Sequence, residues 1–135
     1  MLGNVLKRFF PILIITAIIF GRTSFEKTAD DVRAVFETRD FRNFEQLISF
    51  RTFLSVGEMY VGYYGSAQTL KLIGDYLNSL ERYSFKIASV SSEKNLGYIT
   101  GKIFYMKEGK QKAKDVFLTL KKIGDNWLIT QITIN

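Results

Sequence analysis

The chain has 135 residues, room for one domain of ordinary size with a short leader and too little for two folded domains. An apolar share of 47% and a charged share of 24% exclude a disordered chain, and the lack of cysteine excludes disulfides and thiolate metal sites. The lack of histidine removes the commonest general base near neutral pH, and the net charge of +6, which falls to +4 without Lys7 and Arg8, is too small to call for a nucleic-acid partner.

The first segment ends its charged part at Lys7–Arg8, and Phe9–Phe20 is then an apolar run broken only by Pro11 and Thr16. A helix that crosses a bilayer needs about 20 apolar residues. This run is shorter and is bounded by Arg8 and Arg22. Residues 1–23 therefore read as a signal peptide or a short N-terminal anchor, the signal peptide being favoured, although no A-x-A pattern precedes the small residues Gly21, Thr23 and Ser24. With the basic pair on the cytoplasmic side, either reading exports residues 24–135 to the periplasm or cell envelope of a bacterium. Membrane contact is expected through the leader alone.

Phe25, Ala29, Val32 and Phe36 recur at helical spacing, with Glu26, Asp30, Arg33 and Glu37 opposite, so a first helix spans Ser24 to Thr38. Asp40 is placed to cap a second, short helix carrying Phe41, Phe44, Leu47 and Ile48. From Phe50 to Tyr64 the β-branched and aromatic residues predict two short strands with a break near Gly57. Ser66 is the expected cap of a third helix to about Leu80, with Leu70, Ile73, Leu77 and Leu80 on one stripe. The last third alternates with period two through Tyr83–Ser91, Leu96–Met106, Gln111–Ile123 and Trp127–Ile134, separated by short turns. Strands this long in a small domain curve, and Gly97 and Gly101 are the expected places for the bend.

Helix, short helix, short strands, helix and a four-strand meander ending in Gly124–Asp125–Asn126–Trp127–Leu128–Ile129 resembles the nuclear transport factor 2-like, or cystatin-like, superfamily. Within it the chain is similar to the family of exported bacterial proteins called domain of unknown function 4783. The matching stretches are Tyr64–Gly65–Ser66–Ala67–Gln68, Ser84–Phe85–Lys86–Ile87, Ser91–Ser92, Tyr98 with Gly101, Leu120–Lys121–Lys122 with Gly124, and Leu128–Ile129. The resemblance spans about Ala34 to Ile134 and implies an α+β cone, about three helices packed on a curved antiparallel sheet. It implies no catalytic residue and no cofactor.

On such a cone Tyr60, Tyr64, Tyr76 and Tyr105 are the candidates to line a cavity and offer hydroxyls to a small apolar ligand. An isomerase or hydratase would need buried carboxylates, and Asp75 and Asp115, with Arg51 near the first strand, are the residues available. The sequence pattern turns Asp75 and Asp115 outward, which leaves them poorly suited to acid–base work. Lys102, Lys107, Lys110, Lys112 and Lys114 read as a solvated hairpin edge. If Ile99, Ile103, Val116 and Leu118 face inward, Tyr98, Phe104 and Phe117 face outward, a pattern that marks a homodimer interface across the outer sheet face. The expected work is non-catalytic binding of a small ligand or an envelope protein. A tethered subunit of an envelope or secretion assembly is the alternative, and a small-molecule isomerase or hydratase using Asp and Tyr the further one.

Overall fold

A computed structural model describes residues 23–135, so the leader reading falls on residues that lie, Thr23 apart, outside those described. Helix α1 runs Ser24–Thr38. The Thr23 hydroxyl accepts the Glu26 N–H at 3.2 Å and so caps the first turn. Phe25, Ala29, Val32, Val35 and Phe36 form the buried stripe. Arg39, at φ 60°, closes the helix in the left-handed region and donates its N–H to the Val35 carbonyl at 2.9 Å.

The second α-helix expected after Asp40 does not form. Asn43–Leu47 is one 3₁₀ segment that buries Phe44. The Asp40 carboxylate accepts from the Asn43 side-chain amide at 3.2 Å. Ile48 is already paired with Ile129 in the sheet, which leaves too little chain for α-helical turns. The described residues therefore hold two α-helices where three were expected.

Strands β1 (Ile48–Val56) and β2 (Tyr60–Gly65) form a hairpin about Gly57, which takes φ 55°. Helix α2 spans Ser66–Ser79. Its N-cap is Gly65 with no side-chain bond, so Ser66 lies in the first turn and is not the expected cap. The helix buries Thr69, Ile73, Gly74, Tyr76 and Leu77, and the Phe41 ring packs over Gly74. Strands β3 (Glu81–Glu93), β4 (Leu96–Lys107), β5 (Lys110–Ile123) and β6 (Asn126–Ile134) follow as a meander.

The curved sheet has the order β2-β1-β6-β5-β4-β3. Helix α2 carries the chain from the β2 edge to the β3 edge. The meander is antiparallel, as expected, but β1 lies parallel to β6. That one pair departs from an all-antiparallel sheet because β1 joins the meander at its last strand.

The inner face is packed rank by rank. Leu54, Ile132, Leu118 and Ile99 form one rank across four strands, and Val56, Ile134, Val116 and Gly101 the next. All seven non-glycine side chains in these ranks are buried. Helix α1 closes on them through aromatic rings: Phe36 stacks on Phe85 at 4.5 Å and meets Phe44 edge-on at 5.6 Å, while Phe25 tilts against Trp127 at 4.7 Å. Trp127 Nε1–H donates to the Ser24 hydroxyl at 3.2 Å, so Trp127 and Ile129 belong to the core and Leu128 to the outer side. Gly97 and Gly101 earn their place by steric need, since a Cβ on either would run into the ring of Phe25 or of Phe85.

Candidate functional site

The strand register turns Tyr98, Phe104 and Phe117 to the outer face together. Phe117 sits opposite Thr100, Tyr98 opposite Thr119, and Phe104 opposite Ala113. Tyr98 is 44% exposed and Phe117 47%, and they are diagonal neighbours across β4 and β5. Phe104 is half-buried and stands apart, because the Lys102–Asp115 ion pair at 3.1 Å lies between it and Phe117.

The outer face has a second apolar region that the sequence reading missed. Phe50 on β1 is 83% exposed, Tyr63 on β2 60%, and Ile123 at the end of β5 50%. With Phe53 they border a shallow groove of about 760 Å³. The Phe53 ring meets the Tyr63 ring edge-on at 5.1 Å, and the Arg51 guanidinium lies 4.5 Å from the Tyr63 ring centre. Alternation could not locate it: Phe50 and Phe53 lie three apart and both face outward, which a regular strand of period two forbids.

The four candidate cavity tyrosines all sit on the inner side. Tyr60 and Tyr64 are half-buried on β2 and pack against the core, Tyr105 is half-buried on β4, and Tyr76 is buried on α2. Burial raises the Tyr76 hydroxyl above its ordinary pKa, and the neighbouring Tyr105 adds to the rise. Tyr83 is raised by burial as well, against the opposing pull of Arg39, whose guanidinium lies 4.2 Å from the ring centre. Its hydroxyl donates to the Phe36 carbonyl at 2.8 Å, which ties β3 to α1.

The carboxylates are not assembled for acid–base work. Asp75 is exposed on α2 and paired with Lys71 at 2.8 Å. Asp115 is exposed on the outer face of β5, and Arg51 stands over Tyr63 on β1. The three do not meet. Among the described residues no group of three or more Asp and Glu is placed to hold a metal ion.

The family model "Domain of unknown function (DUF4783)" matches residues 29–135. The chain belongs to the DUF4783 family. Solved structures agree on the fold. A DUF4783 family protein from Bacteroides uniformis is 13% identical at a TM-score of 0.66, with 78% of this chain and 94% of that one covered. An NTF-2 like protein of unknown function from Shewanella oneidensis is 16% identical at 0.58, covering 80% and 93%. The protein "Rd1NTF2_04 with long sheet" is 18% identical at 0.71, covering 83% and 100%. No protein of curated function matches the sequence. At these identities the likeness establishes a nuclear transport factor 2-like fold and nothing about ligand or chemistry.

In this DUF4783 chain the packing leaves two regions with chemical capacity. One is the neighbourhood of Tyr76 on α2 and Tyr105 on β4, where the Tyr76 hydroxyl is partly desolvated. The other is the outer face, with exposed rings and cations. Neither presents a nucleophile held by a base, and both present groups suited to binding.

Proposed function

We propose that this DUF4783 chain is a non-catalytic binding domain, exported to the periplasm or cell envelope, that pairs with a second copy across its outer sheet face. The observation that carries this is the pair Tyr98 and Phe117, nearly half exposed and adjacent on the outer face, with Thr100, Thr119, Thr133 and Gln131 as the neighbours across the strands around them. An antiparallel sheet turned to water presents polar side chains on that side, and aromatic rings placed there favour contact with another surface. The basic pair Lys7–Arg8 before an apolar run supports the exported placement.

Light scattering or sedimentation on the purified full chain tests the pairing. The wild type is expected at twice the chain mass, and Phe117→Lys and Tyr98→Lys at the chain mass. A wild-type monomer, or a dimer indifferent to both substitutions, overturns it. Phe104→Lys is expected to weaken pairing less, because Phe104 is already half-buried and set apart. A second reading, a small apolar ligand held at Tyr60, Tyr64, Tyr76 and Tyr105, is favoured by the desolvation of Tyr76 beside Tyr105. Mass spectrometry of the mature N-terminus separates a cleaved leader from an anchor, and a retained leader would favour a tethered subunit of an envelope assembly.

A further inference from the structure

The groove on the outer face is made by two breaks in strand register that share one residue. Between the pairs Ile48–Ile129 and Phe53–Gln131, β1 carries Ser49, Phe50, Arg51 and Thr52 against Thr130 alone on β6. On the other side of β6, Thr119 faces Gln131 and Leu120 faces Ile129, so Thr130 is again the extra residue. Bulges re-aim side chains and bend the sheet at the cost of ladder bonds. Here they are braced rather than loose. The buried Thr52 hydroxyl lies 3.3 Å from both the Ser49 and Ile129 carbonyls, and the Thr130 hydroxyl donates to the Thr119 carbonyl at 3.3 Å. The outcome is a Phe50 side chain left 83% exposed beside an open groove.

The charged residues that line this groove, Arg51 and Lys121, are both cations. Arg51 is held against the Tyr63 ring, whose own position is fixed by Phe53. A guanidinium stacked in this way is a planar, weakly hydrated fork that matches a carboxylate. The remaining lining offers rings at Phe50 and Phe53 and neutral hydrogen-bonding groups at Gln131 and Thr130.

We propose that this groove docks an extended acidic peptide of a partner protein, with a carboxylate at Arg51 and Lys121 and an apolar side chain against Phe50 and Phe53. Charge complementarity selects the acidic partner. Two cations are too few for a nucleic acid, which is bound through many phosphates. In an extended peptide, residues two apart share a face about 6.6 Å from one another, so an acid two places from an aromatic presents both to the groove.

The probe is a fluorescein-labelled peptide, Glu-Ser-Phe-Ser-Glu, titrated against the full chain by fluorescence anisotropy, with Gln-Ser-Phe-Ser-Gln as control. The acidic peptide is expected to bind saturably and at least tenfold tighter than the control, with tenfold losses in Arg51→Glu and in Lys121→Glu and a smaller loss in Phe50→Ser. These positions are exposed or open to the groove, and a thermal melt checks that each variant folds. Equal binding of the two peptides, or binding indifferent to Arg51→Glu, overturns the proposal. So does binding to phosphatidylserine vesicles that depends on Phe50 and Lys121 while the peptide is ignored, which would make the groove a lipid contact. The groove borders the proposed pairing patch, since Thr119 of its lining sits opposite Tyr98. Phe117→Lys reports on pairing through mass, and the preference for the acidic peptide over the control is expected to persist in that variant, which keeps the failure of one reading distinguishable from the failure of the other.

Discussion

Replacing Gly101 by alanine places one methyl group where β3 and β4 meet the Phe85 ring. A Cβ there would lie 2.6 Å from the Lys86 carbonyl oxygen and 2.9 Å from the nearest atom of that ring. The ring is buried and stacked on Phe36 at 4.5 Å, so it has little room to turn aside. The carbonyl belongs to the backbone of the neighbouring strand, paired through Lys86–Lys102 and Ile87–Gly101, and moves only if β3 moves. Overpacking of this kind costs about 1–3 kcal/mol, and a backbone neighbour puts the cost in the upper half of that range. Alanine also restricts the unfolded chain, which returns about 0.4–1 kcal/mol. The net loss is about 2 kcal/mol. For a domain of about 110 residues that lowers Tm by about 8–10 °C. Urea unfolding followed by Trp127 fluorescence, with thermal melts by circular dichroism, measures it. Phe85→Leu separates the two contacts: it trims the ring and leaves the carbonyl, so Gly101→Ala is expected to keep most of its cost in that background. A Gly101→Ala variant within about 0.5 kcal/mol of wild type, or one fully rescued by Phe85→Leu, would refute the backbone account.

Two further changes probe the bulge and the buried tyrosines. Thr52→Val keeps shape but removes the hydroxyl between the Ser49 and Ile129 carbonyls; a loss of about 1–2 kcal/mol is expected in urea unfolding, and an unchanged midpoint would mean that the bulge needs no brace. Tyr76 and Tyr83 hold their protons more tightly when folded than the ordinary value of 10.0, so the unfolded chain releases them first and stability falls as pH rises through 10 towards the folded values. Urea midpoints between about pH 8 and 11 are expected to decline, less steeply in Tyr76→Phe, and an identical slope in that variant counts against burial as the cause.

Much of the fold was legible because it rests on periodicity. The spacing of Phe25, Ala29, Val32 and Phe36 located α1, and alternation through Ile99, Ile103, Val116 and Leu118 assigned the inner face of β4 and β5. What failed were features decided by distant partners. The residues after Asp40 carry apolar groups at helical spacing, yet Ile48 is claimed by Ile129, some eighty positions on, and tertiary pairing overrides local pattern. The parallel placement of β1 beside β6 is likewise a property of the whole sheet, with no local signature. Of the candidate residues, the outward turn of Tyr98 and Phe117 was readable from alternation, while the groove at Phe50 was hidden because a bulge breaks the very period on which the reading relied.

The two faces of the sheet differ in what they leave open, and this makes the binding readings separable. On the inner side, ring atoms occupy the spaces that strand glycines would otherwise open, Phe25 at Gly97 and Phe85 at Gly101. Strand β6 ends with Ile134 opposite Val116, whereas β4 and β5 run on through Tyr105 and Lys112, without β6 beside them. A ligand taken up on that side would therefore have to enter between α2, at Tyr76, and the free length of the β4–β5 hairpin. On the outer side the opening lies on the opposite flank of the sheet, at Thr130, where both register breaks meet. A substitution at Tyr105 and one at Arg51 act on opposite faces and share no neighbour, so their effects on binding should add. Strong coupling between them would mean that one ligand or partner wraps the sheet end, and that the faces are not independent sites.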